Sequence, residues 1–332
     1  FNTLFKKYTS SQSVQLIPYA FSSQPINKKI ITQKITKALN KIISTHKDYC
    51  FFLKGDLGSG KKYIQQHVTS ISSNNTPLFT LNISFNDSTK NNYTPFLNCF
   101  KWFIKQCIVN SSIVFFNNHF FSTFSRNDQV LHLSLFPEIQ YYLKDFQIPT
   151  SVEKNNALSH NMNVIIENFP NLFILKTPLL VNIYNTNSLS SNHAITLKNL
   201  ISKINTPKII TIAHTNNIPE NSTIHNLHKF ITNKFEHEII NIPLFSKENI
   251  KTFIKQSYPY EFDKFTNFAD QLLIKTKGNC LYLRHLLILL HTNNAIWLKN
   301  NKIYWSIDLI NKLAENSTIT QQIQKNITAL NN

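Results

Sequence analysis

Glycine is almost missing from this chain, with 4 residues in 332. Arginine is rarer still, present only as Arg126 and Arg284, and the single methionine is Met162. So little arginine argues against bidentate reading of guanine or phosphate, which the planar guanidinium fork performs better than an ammonium. No run of about 20 apolar residues occurs, and the opening segment FNTLFKKYTS has no apolar signal core. Neither a membrane span nor secretion is therefore indicated. The 4 cysteines, Cys50, Cys99, Cys107 and Cys280, show no CxxC spacing. Cys50 and Cys280 stand in apolar surroundings, so reduced buried thiols are expected rather than bridges or zinc ligands. The histidines form no metal-ligand pattern either, and His225 and His228 are expected as a surface pair. These absences point to an intracellular domain, cytoplasmic rather than nuclear. The lack of an initiator Met suggests a segment of a longer polypeptide.

What is present is lysine, asparagine, isoleucine and phenylalanine, in a chain long enough to bury a large core. The net charge is +17. It is uneven, since residues 1–110 hold 14 lysines against 3 acidic residues. A basic N-terminal half can meet phosphates or acidic partners, and nucleic acid stays open as a partner on that ground. The same composition also follows from an AT-rich coding sequence without selection for binding.

Residues 27–45 place Ile30, Ile31, Ile35, Leu39, Ile42 and Ile43 at helical spacing, with lysines on the other face. YCFFLK (49–54) reads as a buried strand, and Ile64, Val68 and Ile71 mark a helix face after it. LFTLNISF (78–85), PLLVNIYN (178–185) and PKIITIAHT (207–215) read as further strands, with helices at 94–108 and 190–204 between them. Strands alternating with helices imply a parallel sheet with helices on both faces. Residues 110–160 are rich in aromatics at near-helical spacing and are expected as core-facing helices. From 236 the texture turns helical. Ser246 suits an N-cap, Gly278 a left-handed helix end, and Asn279 the N-cap of the next helix. AIWLKNNKIYW reads as a hairpin turning at Asn300 and Asn301. The expected division is 1–48, an N-terminal segment and helix; 49–235, an α/β core with a helical insertion at about 110–160; 236–294, a helical lid; and 295–332, a hairpin with the start of a further element.

Between the first strand and its helix stands Gly55-Asp56-Leu57-Gly58-Ser59-Gly60-Lys61-Lys62. It fits GxxxxGK, with lysine where serine or threonine is usual. The chemistry of that pattern is a loop of backbone amides and a helix N-terminus facing anionic phosphates, with a lysine reaching the β- and γ-phosphates. Three of the chain's 4 glycines fall in it. Gly55, Gly58, Ser59, Gly60, Lys61 and Lys62 are accordingly the candidate phosphate-binding residues. The hydroxyl normally found at position 62 coordinates Mg²⁺, whereas an ammonium repels it.

With these residues the chain resembles the STAND branch of P-loop ATPases, related to AAA+ and NACHT modules of ankyrin- and TPR-repeat scaffolds and multidomain regulatory kinases. KGDLGSGKKYIQQHV resembles Walker A, PLLVNIYNTNS the Walker B strand, PKIITIAHT the sensor strand and IKTKGNCLYLRHLLILL the lid helices. The resemblance implies a three-layer α/β/α P-loop core followed by a helical lid, with ATP or ADP as ligand and protein partners. It also implies Arg284 as a sensor arginine reaching a bound phosphate. Two departures stand against hydrolysis. Asn182 occupies the first acidic position of Walker B, with Asn185 and Thr186 at the later ones, and asparagine supplies neither the charge that holds Mg²⁺ nor a general base. His214 stands where related sensor strands carry arginine. The expectation is a degenerate nucleotide-binding module with a regulatory or scaffold role, with Mg²⁺ not expected. Two alternatives stay open. One is an origin-recognition-like AAA+ DNA-binding subunit. The other is an active ATPase taking its acid from Glu167 or Glu220.

Overall fold

The computed structural model describes residues 29–70, 79–85, 93–112, 114–143 and 158–315. The segment before residue 29, Ile71, and the residues after 315 lie outside the described ones, as do 144–157 of the expected helical insertion. The chain divides into two compact units, one made of Ile30–Asp56 and Lys61–Ile242, the other of Leu57–Gly60 and the described residues from Pro243 onward.

The first unit opens with α1 (Lys29–Thr45), β1 (Tyr49–Lys54), α2 (Lys61–Ser70), β2 (Phe79–Ser84) and α3 (Thr94–Val109). The region expected as helical then contributes β3 (Val114–Phe116), α4 (Asn118–Ser122), α5 (Arg126–Leu135) and α6 (Leu158–Asn168), and β4 (Phe173–Leu175) pairs antiparallel with β3. The unit closes with β5 (Leu179–Tyr184), α7 (Ser191–Lys203), β6 (Lys208–His214), α8 (Thr223–Lys234) and β7 (Glu236–Asn241). Five strands form one parallel sheet in the order β2-β5-β6-β1-β7. Residues 236–241, expected to begin the helical part, are thus the edge strand beside β1. Their sequence EHEIIN is too polar to read as a buried strand, and its burial pattern is that of a sheet edge.

Alternation along the strands builds the layers. Cys50 and Phe52 point to one face and Phe51 and Leu53 to the other, as the two-residue period of a strand requires. The first face packs against α3, α6, α7 and α8 in a large core, and the second against Ile31, Ile35 and Ile42 of α1 and Ile64 and Val68 of α2. This is a three-layer α/β/α P-loop-type core, as the alternation of elements implied. The aromatics of the middle region enter the first core. Phe169 stacks on Phe100 with ring centroids 4.0 Å apart, while Phe136 and Phe173 close around them. Removing a fully buried ring such as Phe100 costs about 3–5 kcal/mol.

The second unit contains α9 (Lys247–Ser257), β8 (Glu261–Phe262), α10 (Phe265–Thr276), α11 (Cys280–Thr292), β9 (Ile296–Lys299), β10 (Lys302–Trp305) and α12 (Ile307–Glu315). Its own core gathers Phe253, Phe268, Leu272, Leu283, Leu287, Ile303 and Ile310. The punctuation follows the sequence. Ser246 caps α9 by accepting from the Asn249 amide. Gly278 has φ +75°, and a Cβ there would meet the Phe245 carbonyl oxygen at 2.3 Å. Asn300 and Asn301 turn the β9–β10 hairpin with φ of 50° and 63°. Among the described residues no helix is long and apolar enough to cross a membrane.

Candidate functional site

The glycine loop follows the carboxyl end of β1. There the chain leaves for the far edge strand β2 and later returns through β5 and β6, so that β1 lies between β6 and β7. Ligands of open parallel sheets bind where the strand order reverses in this way. Gly58 and Gly60 have φ of +80° and +90°, a backbone conformation that L side chains rarely adopt and that favours glycine. Lys61 is the first residue of α2, whose N-terminal amides have no partner within the helix. Its ammonium donates to the carbonyls of Gly55 at 2.6 Å and Asp56 at 2.7 Å, which folds the side chain back over the start of the loop. The Asp56 carboxylate accepts from the Asn216 amide in the connection after β6.

Leu57–Gly60 belong to the unit built by the residues from Pro243 onward. Within it, Asn279 caps α11 by accepting from the Leu281 and Tyr282 amides, and its own amide donates to the Leu57 carbonyl at 2.7 Å. The Leu281 N–H donates to the Gly58 carbonyl, against which the Cys280 thiol also lies. Cys280, expected to be buried, is therefore half-exposed and engaged with the loop. A Cβ on Gly58 would stand 2.5 Å from Asn279 Oδ1 and 2.8 Å from Leu281 Cβ. Ser59 is buried. Arg284 is exposed on α11, one turn beyond Leu281.

Lys62 is exposed, and its Nζ lies 6.0 Å from the centre of the Tyr184 ring at the end of β5. Beneath them a buried polar chain crosses the sheet. Gln65 of α2 donates to Thr211 Oγ1 at 2.8 Å, and Thr211 donates to Asn182 Oδ1 at 2.6 Å. The Asn182 amide donates to Asn82 Oδ1 at 2.9 Å, which also accepts from the Tyr184 hydroxyl at 3.1 Å. Burial pushes the Tyr184 phenol well above its ordinary pKa, so it stays neutral. Asn182 is therefore fully buried, pairs with Thr211 and, through it, is level with Phe51, four residues before Gly55. Extending the same register brings Asn185 level with His214 and Lys54, at the mouth of the loop. Asn185 is exposed, has φ 53° and donates to Ser84 Oγ at 3.2 Å. The neighbouring Thr186 is buried, its hydroxyl on the Ala213 carbonyl.

His214 turns away from α2. Its ring sits 6.0 Å from Phe52 and 6.2 Å from His228 of α8. Its Nδ1 faces the Thr215 carbonyl at 2.7 Å, so that nitrogen carries the proton. Burial holds the ring below its usual pKa, and the charges of Lys54 and Lys61 push in the same direction. His228, expected on the surface with His225, is half-buried with its ring 4.0 Å from Phe52. No local spacing could have shown this, because the grouping comes from the packing of α8 on the β1–β6 pair. Among the described residues no cluster of His, Cys, Asp and Glu is arranged to hold a metal ion.

Of the two acids weighed as substitutes, Glu167 is bonded to Asn199 and Lys203. Lys203 ends α7 before β6 begins, which places Glu167 at the opposite end of the sheet from the loop. Glu220 is exposed in the connection between β6 and α8.

Sheet order and loop geometry together define a P-loop-type α/β domain. No protein-family model matches the chain, and no curated protein sequence does. Among solved structures it is similar in fold to the ORC1 protein of Aeropyrum pernix, solved in complex with DNA, at 8% identity and a TM-score of 0.49 over 82% of this chain. It is also similar to Cdc6p of Pyrobaculum aerophilum, at 13% identity and a TM-score of 0.46 over 86% of this chain and 67% of that one. A STAND protein of Pyrococcus horikoshii with a tetratricopeptide repeat sensor is similar at 12% identity and a TM-score of 0.30, over 76% of this chain and 28% of that one. The chain spans 61% of the length of the ORC1 protein. These likenesses are too distant to transfer an activity, and the fold assignment rests on the sheet and the loop.

Proposed function

We propose that the chain is a nucleotide-binding P-loop module of the STAND and AAA+ kind that does not hydrolyse its ligand and acts as a regulatory or scaffold domain. The observation that carries this reading is the loop itself. Gly58 and Gly60 hold positive φ, and Lys61 heads α2 with its ammonium already turned into the loop. A phosphate oxygen replaces the Gly55 and Asp56 carbonyls as the partner of Lys61 and accepts from the amides at the first turn of α2. Hydrolysis needs a group to orient and deprotonate water. Asn185, just past the end of β5, is an amide with no base strength, and His214 at the end of β6 turns its ring against Phe52 and His228 with Nδ1 on the Thr215 carbonyl, so neither presents that group to the loop.

The test is a titration of the purified chain with ADP and ATP by calorimetry, alongside a phosphate-release assay. The expected result is binding that Lys61→Ala removes, with no turnover above background. Absence of binding to either nucleotide would overturn the reading, and so would turnover that depends on Lys61. Turnover removed by Glu220→Gln would instead support an ATPase with a non-standard acid. On α1, Lys34 and Lys41 pair with Glu238 and Glu236 of β7, which offsets part of the positive charge of that helix.

A further inference from the structure

Charge around the loop is unbalanced in a way that bears on the form of ligand it takes. Lys54, Lys61 and Lys62 surround the end of β1 and the first turn of α2. Among the described residues, the connections at the carboxyl ends of the five strands carry only two carboxylates, Asp56 and Glu220. Asp56 already accepts from Asn216. Where a phosphate-binding loop holds Mg²⁺, it needs a hydroxyl in the first turn of the helix and a carboxylate at the neighbouring strand end. Here the first position is the ammonium of Lys62, held over the face of Tyr184. The second is the neutral amide of Asn185, or, deeper in the strand, Asn182 with both ends of its amide occupied. Neither set of atoms fits the ion, and two adjacent ammoniums repel it.

Resting on the nucleotide-binding reading above, we propose that this loop takes the phosphates of its nucleotide as the metal-free anion. Lys62 stands where the ion would, and Mg²⁺ opposes binding by withdrawing free nucleotide into its complex. Lys61 and Lys62 project from consecutive positions of one helical turn, and together they supply the two positive charges that Mg²⁺ otherwise brings. The Lys62 ammonium lies over the Tyr184 ring, 6.0 Å from its centre, and Tyr184 is itself fixed by its hydroxyl on Asn82.

The experiment titrates the full chain with ADP and ATP in EDTA and again in millimolar Mg²⁺ in excess of nucleotide, at matched ionic strength. The expected result is binding in EDTA that weakens by about tenfold or more in Mg²⁺, the order of effect of adding a like charge beside two ammoniums. In Lys62→Thr, binding in EDTA weakens while the penalty from Mg²⁺ shrinks, and circular dichroism confirms that this exposed position leaves the fold unchanged. Equal or tighter binding in Mg²⁺ by the unaltered chain would overturn the proposal while leaving nucleotide binding intact. A Lys62→Thr chain with the same response to Mg²⁺ as the unaltered one would also overturn it. Silence in both buffers overturns the nucleotide-binding reading itself, and this inference with it.

Discussion

Asn182 and Asn185 both occupy positions where the Walker B resemblance expects an acid, and their environments make them opposite experiments. Asn182 is 0% exposed and its amide donates to Asn82 Oδ1. An aspartate there places a carboxylate oxygen against that acceptor and buries a charge, so Asn182→Asp is expected to lose about 2–4 kcal/mol without gaining turnover. Asn185 is exposed with φ 53°, a conformation aspartate tolerates nearly as well. Asn185→Asp should therefore leave stability within about 0.5 kcal/mol in a urea melt. The reverse ranking of the two variants would refute the assigned register. Gly58 gives a third case at the same scale. Its φ of +80° and the close approach of Asn279 and Leu281 leave no room for a methyl group. Gly58→Ala should destabilise by about 1–3 kcal/mol, visible as a fall of several degrees in Tm.

Among elements, the pairing of α9 with α11 carries a built-in acid sensitivity. The Tyr258 hydroxyl at the end of α9 lies 2.6 Å from His291 Nε2 near the end of α11, and the rings stack with centroids 5.5 Å apart. Donation from Tyr258 needs an unprotonated Nε2, and burial lowers the His291 pKa from 6.5 to about 4. Above the unfolded value of 6.5 the ring is neutral in both states and the contribution is complete. As pH falls toward about 4 the unfolded chain takes a proton that the folded one refuses, and stability drops. His291→Gln should flatten the fall of Tm between those values, and an unchanged slope would count against the assignment. Elements with strong local patterns are legible in the sequence: β1, β5, β6, the loop, and the caps at Ser246 and Asn279 follow from apolar runs and cap chemistry. The edge strand β7 is not, because Glu236, His237 and Asn241 stay exposed and its pairing with β1 is long-range. For the same reason the sequence showed that acids were missing from the Walker B region, yet it could not tell which asparagine stands at the mouth of the loop.

At the scale of the whole molecule, the net charge of +17 predicts attraction to any polyanion, and that attraction has to be separated from the loop's own chemistry. Diffuse binding to duplex DNA through many lysines depends steeply on salt, falling by about 10³ or more between 50 and 200 mM when six or more phosphates are contacted. Capture of one nucleotide by Lys61, Lys62 and the amides of α2 involves few charges, so its salt dependence is shallower. The two activities should therefore part in one variant. Lys61→Ala removes a single unit of the surplus charge, so duplex binding at low salt should stay within about twofold, while nucleotide binding disappears. Fluorescence anisotropy with a labelled duplex and with a labelled nucleotide, each measured across the salt range, checks both. Equal losses in Lys61→Ala would mean that DNA reaches the loop itself. The origin-recognition-like alternative would then gain the structural support it now lacks. Intact duplex binding with lost nucleotide binding would place the phosphate specificity in the glycine loop and leave the remaining basicity as a property of the surface.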